Sequence, residues 1–364
     1  MCSRDSSGRD PVTSWAKRLA IAGYVCALLA IAAGWGYRVM RSPERRARAL
    51  LQGIAGLDSP DEARVPGGWV GRDVGYGQLV QQLRALSPEA TDTLIAALSD
   101  PSLRVQGAAA TALGGTRDPR AISALCKVLK DRKSGESVRY RALRSLGEIG
   151  GPEAIDGIAE LMLDIFERGC VSFNPATPDA KPPWVELRVL AAKELGRAGD
   201  PRAVEALTAC ARSDRPDELA SAACMSLAEI GDDTAVEALL SVMRTGGWYA
   251  RVNAAAALSL TGRRDLRGQV LKAVRDGDSA AIPALGGLGD AADGEAIVPY
   301  LSHGDYPVRS MAARALGRLG YQPALVALRQ MASQDQDPYV RRVAAEAVRK
   351  MVAVRGDRDS SSQP

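Results

Sequence analysis

Histidine is almost absent from this sequence, and its scarcity limits the chemistry that the chain can perform. His303 is the one histidine in 364 residues, and it lies in the turn sequence SHGDYP. Mechanisms that need a histidine pair, a histidine-activated nucleophile or a multi-histidine metal site are therefore excluded. Pairs of acidic residues are plentiful, but they fit solvated helix faces. The sequence predicts no enzyme, no cofactor and no metal site.

Cysteine, aromatic residues and excess charge are also scarce or unpatterned. The six cysteines show neither C-x-x-C spacing nor a disulfide framework, although Cys210 and Cys224 fall on paired helices, and whether they pair stays open. The net charge of +4 is mild, so we expect no nucleic-acid partner. Aromatic residues make up 4% of the chain, and the abundant alanine and leucine favour tightly packed short helices over sheets.

One stretch, LRVLAAKELGRAGDPRAVEAL (187–207), contains the unit that the rest of the chain repeats. Apolar residues at helical spacing from Leu187 form one face, Gly199 closes that helix, and Pro201 opens the next. Seven copies have a leucine before a small residue near the helix end, and valine takes its place in the last copy. We call these residues the anchors: Leu113, Leu146, Leu195, Leu227, Leu258, Leu285, Leu316 and finally Val348.

The spacing of the anchors predicts the architecture. Most steps between anchors are 31 to 33 residues, one is 49 and one is 27. A helix–turn–helix unit with this period predicts a solenoid, in which each unit buries its apolar face only against its neighbours. We expect helix pairs at about 88–114, 119–149, 152–198, 201–230, 234–261, 265–288, 295–319 and 323–354.

The motif itself resembles a known repeat. SVRYRALRSLGEIG (137–150), PVRSMAARALGRLG (307–320) and YVRRVAAEAVRKM (339–351) are similar to the short HEAT-like repeats first named in phycobilisome-lyase proteins. The resemblance covers roughly 87–354 and implies an armadillo-type, all-α fold: a right-handed solenoid of about eight antiparallel helix pairs. HEAT-like deoxyhypusine hydroxylases carry repeated His-Glu iron ligands, whereas this sequence contains no His-Glu. Solenoids of this kind serve many unrelated tasks.

The N-terminal region predicts a membrane segment. After a polar leader (1–14), the region 15–40 contains nineteen uncharged residues, 19–37, close to the ~20 needed to cross a bilayer. We expect a single-pass anchor, and flanking charges slightly favour a cytoplasmic repeat domain. The small residues Gly23 and Ala27 favour a homodimer through this helix. The alternative is a signal peptide cleaved near Ala30-Ile31-Ala32, which predicts a secreted or periplasmic protein.

The remaining boundaries follow from composition. Residues 41–77 are predicted to be a basic segment and a Gly/Pro-rich linker, 78–354 the solenoid, and 355–364 a disordered tail. The long step between anchors contains an insertion at 167–183. In the short sixth pair, Pro283 lies within the second helix, which predicts a kink or a change of curvature there.

Aromatic residues near the insertion are candidates for partner binding. Phe166, Phe173 and Trp184 cluster there, and they either grip a partner or fold back to cover the interrupted stack. Trp248 and Tyr249 begin a later second helix, where they serve either recognition or packing.

An arginine also recurs at the second position of the second helix. Stacking would align these residues into a ladder: Arg104, Arg139, Arg188, Arg251, Arg309 and Arg341. Such a row either binds an acidic partner or a phosphate backbone, or pairs internally. Asp100, Asp305 and Asp337 lie four residues before three of these arginines and offer local partners. The HEAT-like resemblance implies that Asp–Arg pairs join consecutive repeats.

Two functions remain open. The first is a bacterial, membrane-anchored scaffold that binds a protein partner through its concave face and the insertion 167–183. The second is a phycobilin-lyase-like or chaperone-like subunit that acts on another protein.

Overall fold

The helices of the N-terminal part form a small packed unit. The computed structural model describes residues 42–56, 69–86, 89–164, 170–172, 184–213 and 218–360. The chain divides into two units, Met1–Asp118 and Pro119–Pro364. The first unit contains α1 (Pro43–Gly56), α2 (Trp69–Ala85), α3 (Thr91–Ala97) and α4 (Leu103–Thr116). Helix α1 packs against the other three helices through Ala47, Leu51 and Ile54, which are buried.

The second unit contains the remaining helices in chain order. They are α5 (Arg120–Lys130), α6 (Glu136–Ile149), α7 (Pro152–Leu163), α8 (Leu187–Ala198), α9 (Ala203–Ala211), α10 (Glu218–Ile230), α11 (Asp233–Thr245), α12 (Trp248–Leu258), α13 (Arg267–Arg275), α14 (Ile282–Leu288), α15 (Gly294–Ile297), α16 (Tyr306–Leu319), α17 (Leu325–Gln334) and α18 (Pro338–Ser360). Short 3₁₀ turns at Arg264–Leu266, Ser279–Ala281, Ala291–Asp293, Val298–Ser302 and Gln322–Ala324 flank the later helices.

Consecutive helices pack as repeat pairs. Within the described residues, α3 to α18 form eight pairs, numbered here as repeats 1 to 8, each with a first and a second helix in contact. In the second unit the second helices form an unbroken row, because α6, α8, α10, α12, α14, α16 and α18 each contact the next. This arrangement confirms the predicted all-helical repeat solenoid.

The anchors are core residues of their repeats. All seven anchor leucines are completely buried, whereas Val348 in the last helix is half-buried. Gly199 ends α8 in the left-handed conformation, with φ of 65°. At this angle a side chain is strained, so glycine lets the chain turn directly into α9.

Small residues set the distance between second helices. A Cβ at Gly317 of α16 would lie 2.7 Å from Ala347 Cβ of α18, and one at Gly196 of α8 would lie 2.7 Å from Ser226 Cβ of α10. Ser226 Oγ also donates to the carbonyl of Ala192, at 2.8 Å. The second helices are therefore in backbone-to-backbone contact at positions where larger side chains do not fit.

Pro283 of the short sixth repeat lies at the start of its helix and not in the middle. Helix α14 begins at Ile282, so Pro283 occupies its first turn, where a missing N–H costs no helical hydrogen bond. No kink is required. Nearby, Arg267 donates to both carboxylate oxygens of Asp293, at 2.7 and 2.8 Å, and Asp293 is 3% exposed. This pair, in which Asp293 is buried and Arg267 is partly exposed, ties α13 to the turn before α15.

The insertion begins and ends in a small antiparallel ladder. Strand β1 (Cys170–Ser172) pairs with β2 (Trp184–Glu186), and Ser172 lies opposite Trp184. The repeat pattern predicts no strand, since pairing between segments so far apart leaves no periodic signal. The ladder holds the two ends of the insertion together and leads directly into α8.

Two predicted boundaries differ from the observed helices. Helix α2 begins at Trp69, inside the predicted linker 41–77, and its buried Val80 and Leu83 pack in the first unit. Burial of these side chains outweighs the low helix propensity of the glycines before them. Helix α18 continues to Ser360 into the predicted disordered tail 355–364.

The predicted membrane topology is not supported. None of the helices in the described part of the chain is long and apolar enough to cross a bilayer. This finding contradicts the single-pass localisation predicted from residues 19–37, which themselves lie outside the described residues, as does the leader. The predicted localisation, with its cytoplasmic orientation, is therefore wrong. The homodimer predicted through the membrane helix has no support.

Gly317→Ala tests the close packing of second helices. We expect it to lower the free energy of unfolding, because overpacking costs about 1–3 kcal/mol against a propensity gain of about 1 kcal/mol. Gly268→Ala in α13 is the matched control, since no atom lies within 4 Å of its added Cβ; its stability should stay equal or rise. Urea unfolding followed by circular dichroism measures both. Equal shifts in the same direction would contradict the proposed contact.

Candidate functional site

The recurring arginines bind the ends of neighbouring first helices. The last carbonyls of a helix lack partners within that helix, and a guanidinium can supply donors to them. In repeats 2, 3 and 5 the arginine Nε donates to a carbonyl in the last turn of its own first helix: Arg139 to Leu129 (2.9 Å), Arg188 to Met162 (2.7 Å) and Arg251 to Met243 (3.0 Å).

In the last two repeats the arginine also donates to backbone carbonyls, but these carbonyls lie further along the chain. Arg309 Nη1 donates to the carbonyls of His303 and Gly304, and Arg341 Nη1 donates to those of Asp335 and Gln336. These carbonyls follow the end of the first helix in repeats 7 and 8. In the first unit, the Arg104 carbonyl accepts a hydrogen bond from the Tyr76 hydroxyl at 3.4 Å.

Carboxylates of the following repeat complete the arginine contacts. Arg309 makes a two-point ion pair with Asp335, at 2.9 and 3.0 Å, and Arg251 pairs with Asp278. The aspartates predicted as local partners have other contacts: Asp337 accepts from the backbone N–H of Tyr339, and Asp100 from that of Ser102. The carboxylates that join repeats therefore lie 26 or 27 residues after their arginines, beyond the reach of a local spacing rule.

The Arg309–Asp335 pair is shielded from solvent. The two side chains are 15% and 8% exposed, and the hydrogen bond from Arg309 lowers the pKa of Asp335. The guanidinium donates to Asp335 and to two backbone carbonyls, so all three of its nitrogens are engaged.

The predicted aromatic sites are only partly described. Phe166 and Phe173 lie outside the described residues, and Trp184 is seen only through its backbone in β2. Trp248 and Tyr249 meet edge to face, with ring centroids 5.1 Å apart. Trp248 lines a hollow of about 650 Å³ with the starts of α16 and α18, while Tyr249 is 43% exposed.

Aligning the repeats by their anchors reveals an exposed strip on the second helices. We define the second-helix face as the residues two before and two after each anchor of repeats 2 to 8, all exposed or half-exposed: Arg144 and Glu148, Lys193 and Arg197, Met225 and Glu229, Ala256 and Leu260, Pro283 and Gly287, Arg314 and Arg318, Glu346 and Lys350.

The chemistry of this face changes along the row. Repeats 2 and 3 carry charges that are paired, such as Arg144 with Glu148. Repeats 4 to 6 are largely apolar, with Met225 44% and Leu260 58% exposed. Repeats 7 and 8 are basic. Residue-by-residue analysis of the sequence missed this strip, but reading the register two residues either side of the anchor would have found it.

Two cysteines and the histidine have structural roles here. Cys210 and Cys224 are buried thiols rather than a disulfide. Burial raises the pKa of Cys224 to about 12, so this thiol is protonated at neutral pH and packs as a small apolar side chain. His303 Nδ1 accepts a hydrogen bond from the Asp305 N–H at 3.1 Å in an exposed turn.

The helix pairs, buried anchors and capping arginines define an α-helical repeat protein. The HEAT repeat family matches residues 80–166, 180–261 and 275–349. These matches cover more than half of the chain, and the chain belongs to this family.

The curated relatives share part of the chain. Deoxyhypusine hydroxylase of Rattus norvegicus is 36% identical over 83 residues, which are 22% of this chain and 28% of that protein. Deoxyhypusine hydroxylase of Gallus gallus is 39% identical over 69 residues, 19% of this chain and 23% of that protein. The chain therefore matches about a quarter of the length of these relatives.

These relatives overturn one prediction. Both are named as an enzyme, which contradicts the sequence-based prediction of no enzyme. A single histidine excludes only mechanisms that depend on several histidines, and other catalytic mechanisms do not need them. The repeated His-Glu iron ligands implied by the resemblance do not fit this chain, because its one histidine precedes Gly304. Among the described residues, no group of three or more His, Cys, Asp or Glu side chains could hold a metal ion.

Solved structures are similar at the level of helical repeats. Human deoxyhypusine hydroxylase in complex with glycerol is 22% identical, with a TM-score of 0.30, over 87% of this chain and 99% of that one. The CpcE–CpcF complex of phycocyanin lyase from Nostoc is 21% identical, with a TM-score of 0.32, over 72% and 94%. Kap121p bound to Ste12p is 11% identical, with a TM-score of 0.43, over 84% and 41%. Scores this low carry no argument about function.

Arg309→Gln tests the capping pair. Removing the cation leaves Asp335 shielded without its partner, and we expect a loss of about 2–3 kcal/mol in the free energy of unfolding at neutral pH. The lowered pKa of Asp335 means that the pair stabilises the fold above the unfolded aspartate pKa of about 3.9 and that this contribution is lost as pH falls through the folded value.

The pH dependence provides the control for this variant. The stability difference between wild type and Arg309→Gln should narrow as the pH is lowered below about 4, measured by urea unfolding at several pH values. Arg329→Gln, at an exposed arginine on α17, should match wild type throughout. A difference that stays constant with pH would show that the ion pair is not its source.

Proposed function

We propose that this chain is a scaffold that binds a protein partner through the concave face of its solenoid, which we assign to the second-helix face, together with the insertion 167–183. The observation that carries the proposal is the apolar section of that face. Met225 on α10 and Leu260, just after the end of α12, are 44% and 58% exposed, and Tyr249 at the start of α12 adds a side chain that is 43% exposed. Large apolar side chains that share one exposed surface favour a protein partner.

Packing supports the choice of this face. The second helices are locked together by buried anchors and by contacts at glycine and alanine, so the surface is preformed. A partner then loses little free energy in ordering it. Covering each of these half-exposed side chains contributes about 1 kcal/mol or more, and neighbouring charged groups supply orientation and specificity.

The insertion supports a second contact. The β1–β2 ladder fixes where the insertion leaves and rejoins the repeats, next to the start of α8. An insertion held at its base by a ladder can present a loop at a defined place. Loops on a rigid scaffold frequently carry binding residues, and Phe173 belongs to this segment.

The face is tested with paired substitutions. The tagged full chain is used to capture partners from its native cells, with a variant that combines Met225→Asp and Leu260→Asp. We expect the variant to lose the partner, because a carboxylate cannot be covered by an apolar surface without a large desolvation cost. Val326→Asp is the control: Val326 is 76% exposed but lies on a first helix, α17. Circular dichroism melts verify that all three chains are folded.

The insertion is tested separately. Replacing residues 173–183 with Asn-Gly joins Ser172 directly to Trp184, which face each other in the ladder, through a tight hairpin turn. We expect this chain to fold and to bind the partner more weakly. Capture of the same proteins in equal amount by wild type, the face variant and the shortened chain would contradict the proposal.

A further inference from the structure

The basic end of the second-helix face has cations without carboxylate partners. Arg314 and Arg318 on α16 are exposed, as is Arg342 on α18. Within the described residues, no ion pair joins any of these three arginines to a carboxylate. Arg251 and Arg309 of the ladder, by contrast, each pair with a carboxylate and also donate to carbonyls at or after the end of a first helix.

Neighbouring side chains hold two of these arginines in position. Arg314 Nη2 donates to the Tyr339 hydroxyl at 2.8 Å, and the Arg342 guanidinium lies over the Tyr339 ring, 5.2 Å from its centroid. Contact with Tyr339 restricts the movement of both guanidinium groups. Their other N–H groups are available to a ligand. Arginine positioned in this way suits two-point binding of a carboxylate.

The positive charge at this end exceeds the negative charge nearby. Glu346 is the acidic member of the second-helix face in repeat 8, and it already pairs with Lys350 at 2.8 Å. That hydrogen bond, together with the fields of Arg314 and Arg349, lowers the pKa of Glu346. The Glu346 carboxylate is therefore already paired and is surrounded by several cations. This part of the surface is complementary to an acidic group of a partner.

The basic end adjoins the apolar section. Arg318 Nη1 contacts Ser259 Oγ at 3.5 Å, although α16 and α12 are separated by α14 in the row. Between α12 and α16, the short sixth repeat has Gly287, which has no side chain. Arg318 therefore extends across α14 to Ser259. Leu260 follows Ser259 directly and is 58% exposed. Cations and exposed apolar side chains are thus parts of one surface.

We infer that this surface binds an acidic amphipathic segment of the partner. Its carboxylates pair with Arg314 and Arg318, and its apolar side chains cover Leu260 and the neighbouring apolar section. The inference rests on the proposed function and specifies the chemistry of that partner. A nucleic acid fits less well, because its phosphate backbone leaves Met225, Tyr249 and Leu260 uncovered.

The test uses a synthetic probe. A short fluorescein-labelled helical peptide with alternating leucine and glutamate faces is titrated against the full chain by fluorescence polarisation, beside a peptide with lysine in place of glutamate and a labelled DNA duplex. We expect the acidic peptide to bind, the basic peptide not to bind, and added salt to weaken binding. Arg314→Gln combined with Arg318→Gln should reduce its affinity about tenfold.

Controls separate this inference from the proposed function. Arg329→Gln, which removes an exposed arginine on a first helix, should bind the acidic peptide as wild type does. Stronger binding of the duplex than of the acidic peptide, or equal affinity of the double arginine variant, overturns the inference. If the partner captured through Met225 and Leu260 is also retained by the double arginine variant, the scaffold proposal stands and the acidic chemistry fails.

Discussion

The close approach of successive second helices is the constraint on which the rest of the structure depends. At Gly196 and Gly317 the neighbouring helix lies within Cβ distance, so the chain can place only small residues there. Each helix pair has an apolar side that it cannot cover alone, and contact with the next pair buries the anchor leucines completely. The same contact fixes the register of every other residue on the row, including those that face solvent.

The position of an arginine within the repeat explains why the arginines that recur in the sequence are not the ones available to a partner. The arginine at the second position of the second helix lies beside the end of the first helix, where unsatisfied carbonyls take up its donors. Arg309 shows the complete arrangement, with two carbonyls and Asp335 as acceptors. A row of positive charge in the sequence is thus a set of helix caps. Arginines elsewhere in the unit, such as Arg314 and Arg318, keep donors available for a partner.

Periodicity made much of this fold predictable, and its limits follow from what repeats. The anchors recur in every repeat and glycine turns recur in many of them, so the sequence alone could place the helix pairs. The β1–β2 ladder and the Arg309–Asp335 pair each join segments that no period relates, and they depend on packing. The second-helix face is partly predictable from the sequence. Its positions repeat, but its residues change from unit to unit, so no motif marks it.

Variation along a constant scaffold is where function can reside in such a protein. The buried and capping positions are restricted by packing and hydrogen bonding, whereas the residues two before and two after each anchor are exposed or half-exposed and differ from repeat to repeat. Gly287 is an exception, because a side chain there would meet Ser259. In repeats 2 and 3 these positions carry charges held in ion pairs, at Met225 and Leu260 they are apolar, and at Arg314 and Arg318 they are basic. Helix packing alone would give no reason for this order. A partner with apolar and acidic sides arranged in the same sequence gives one.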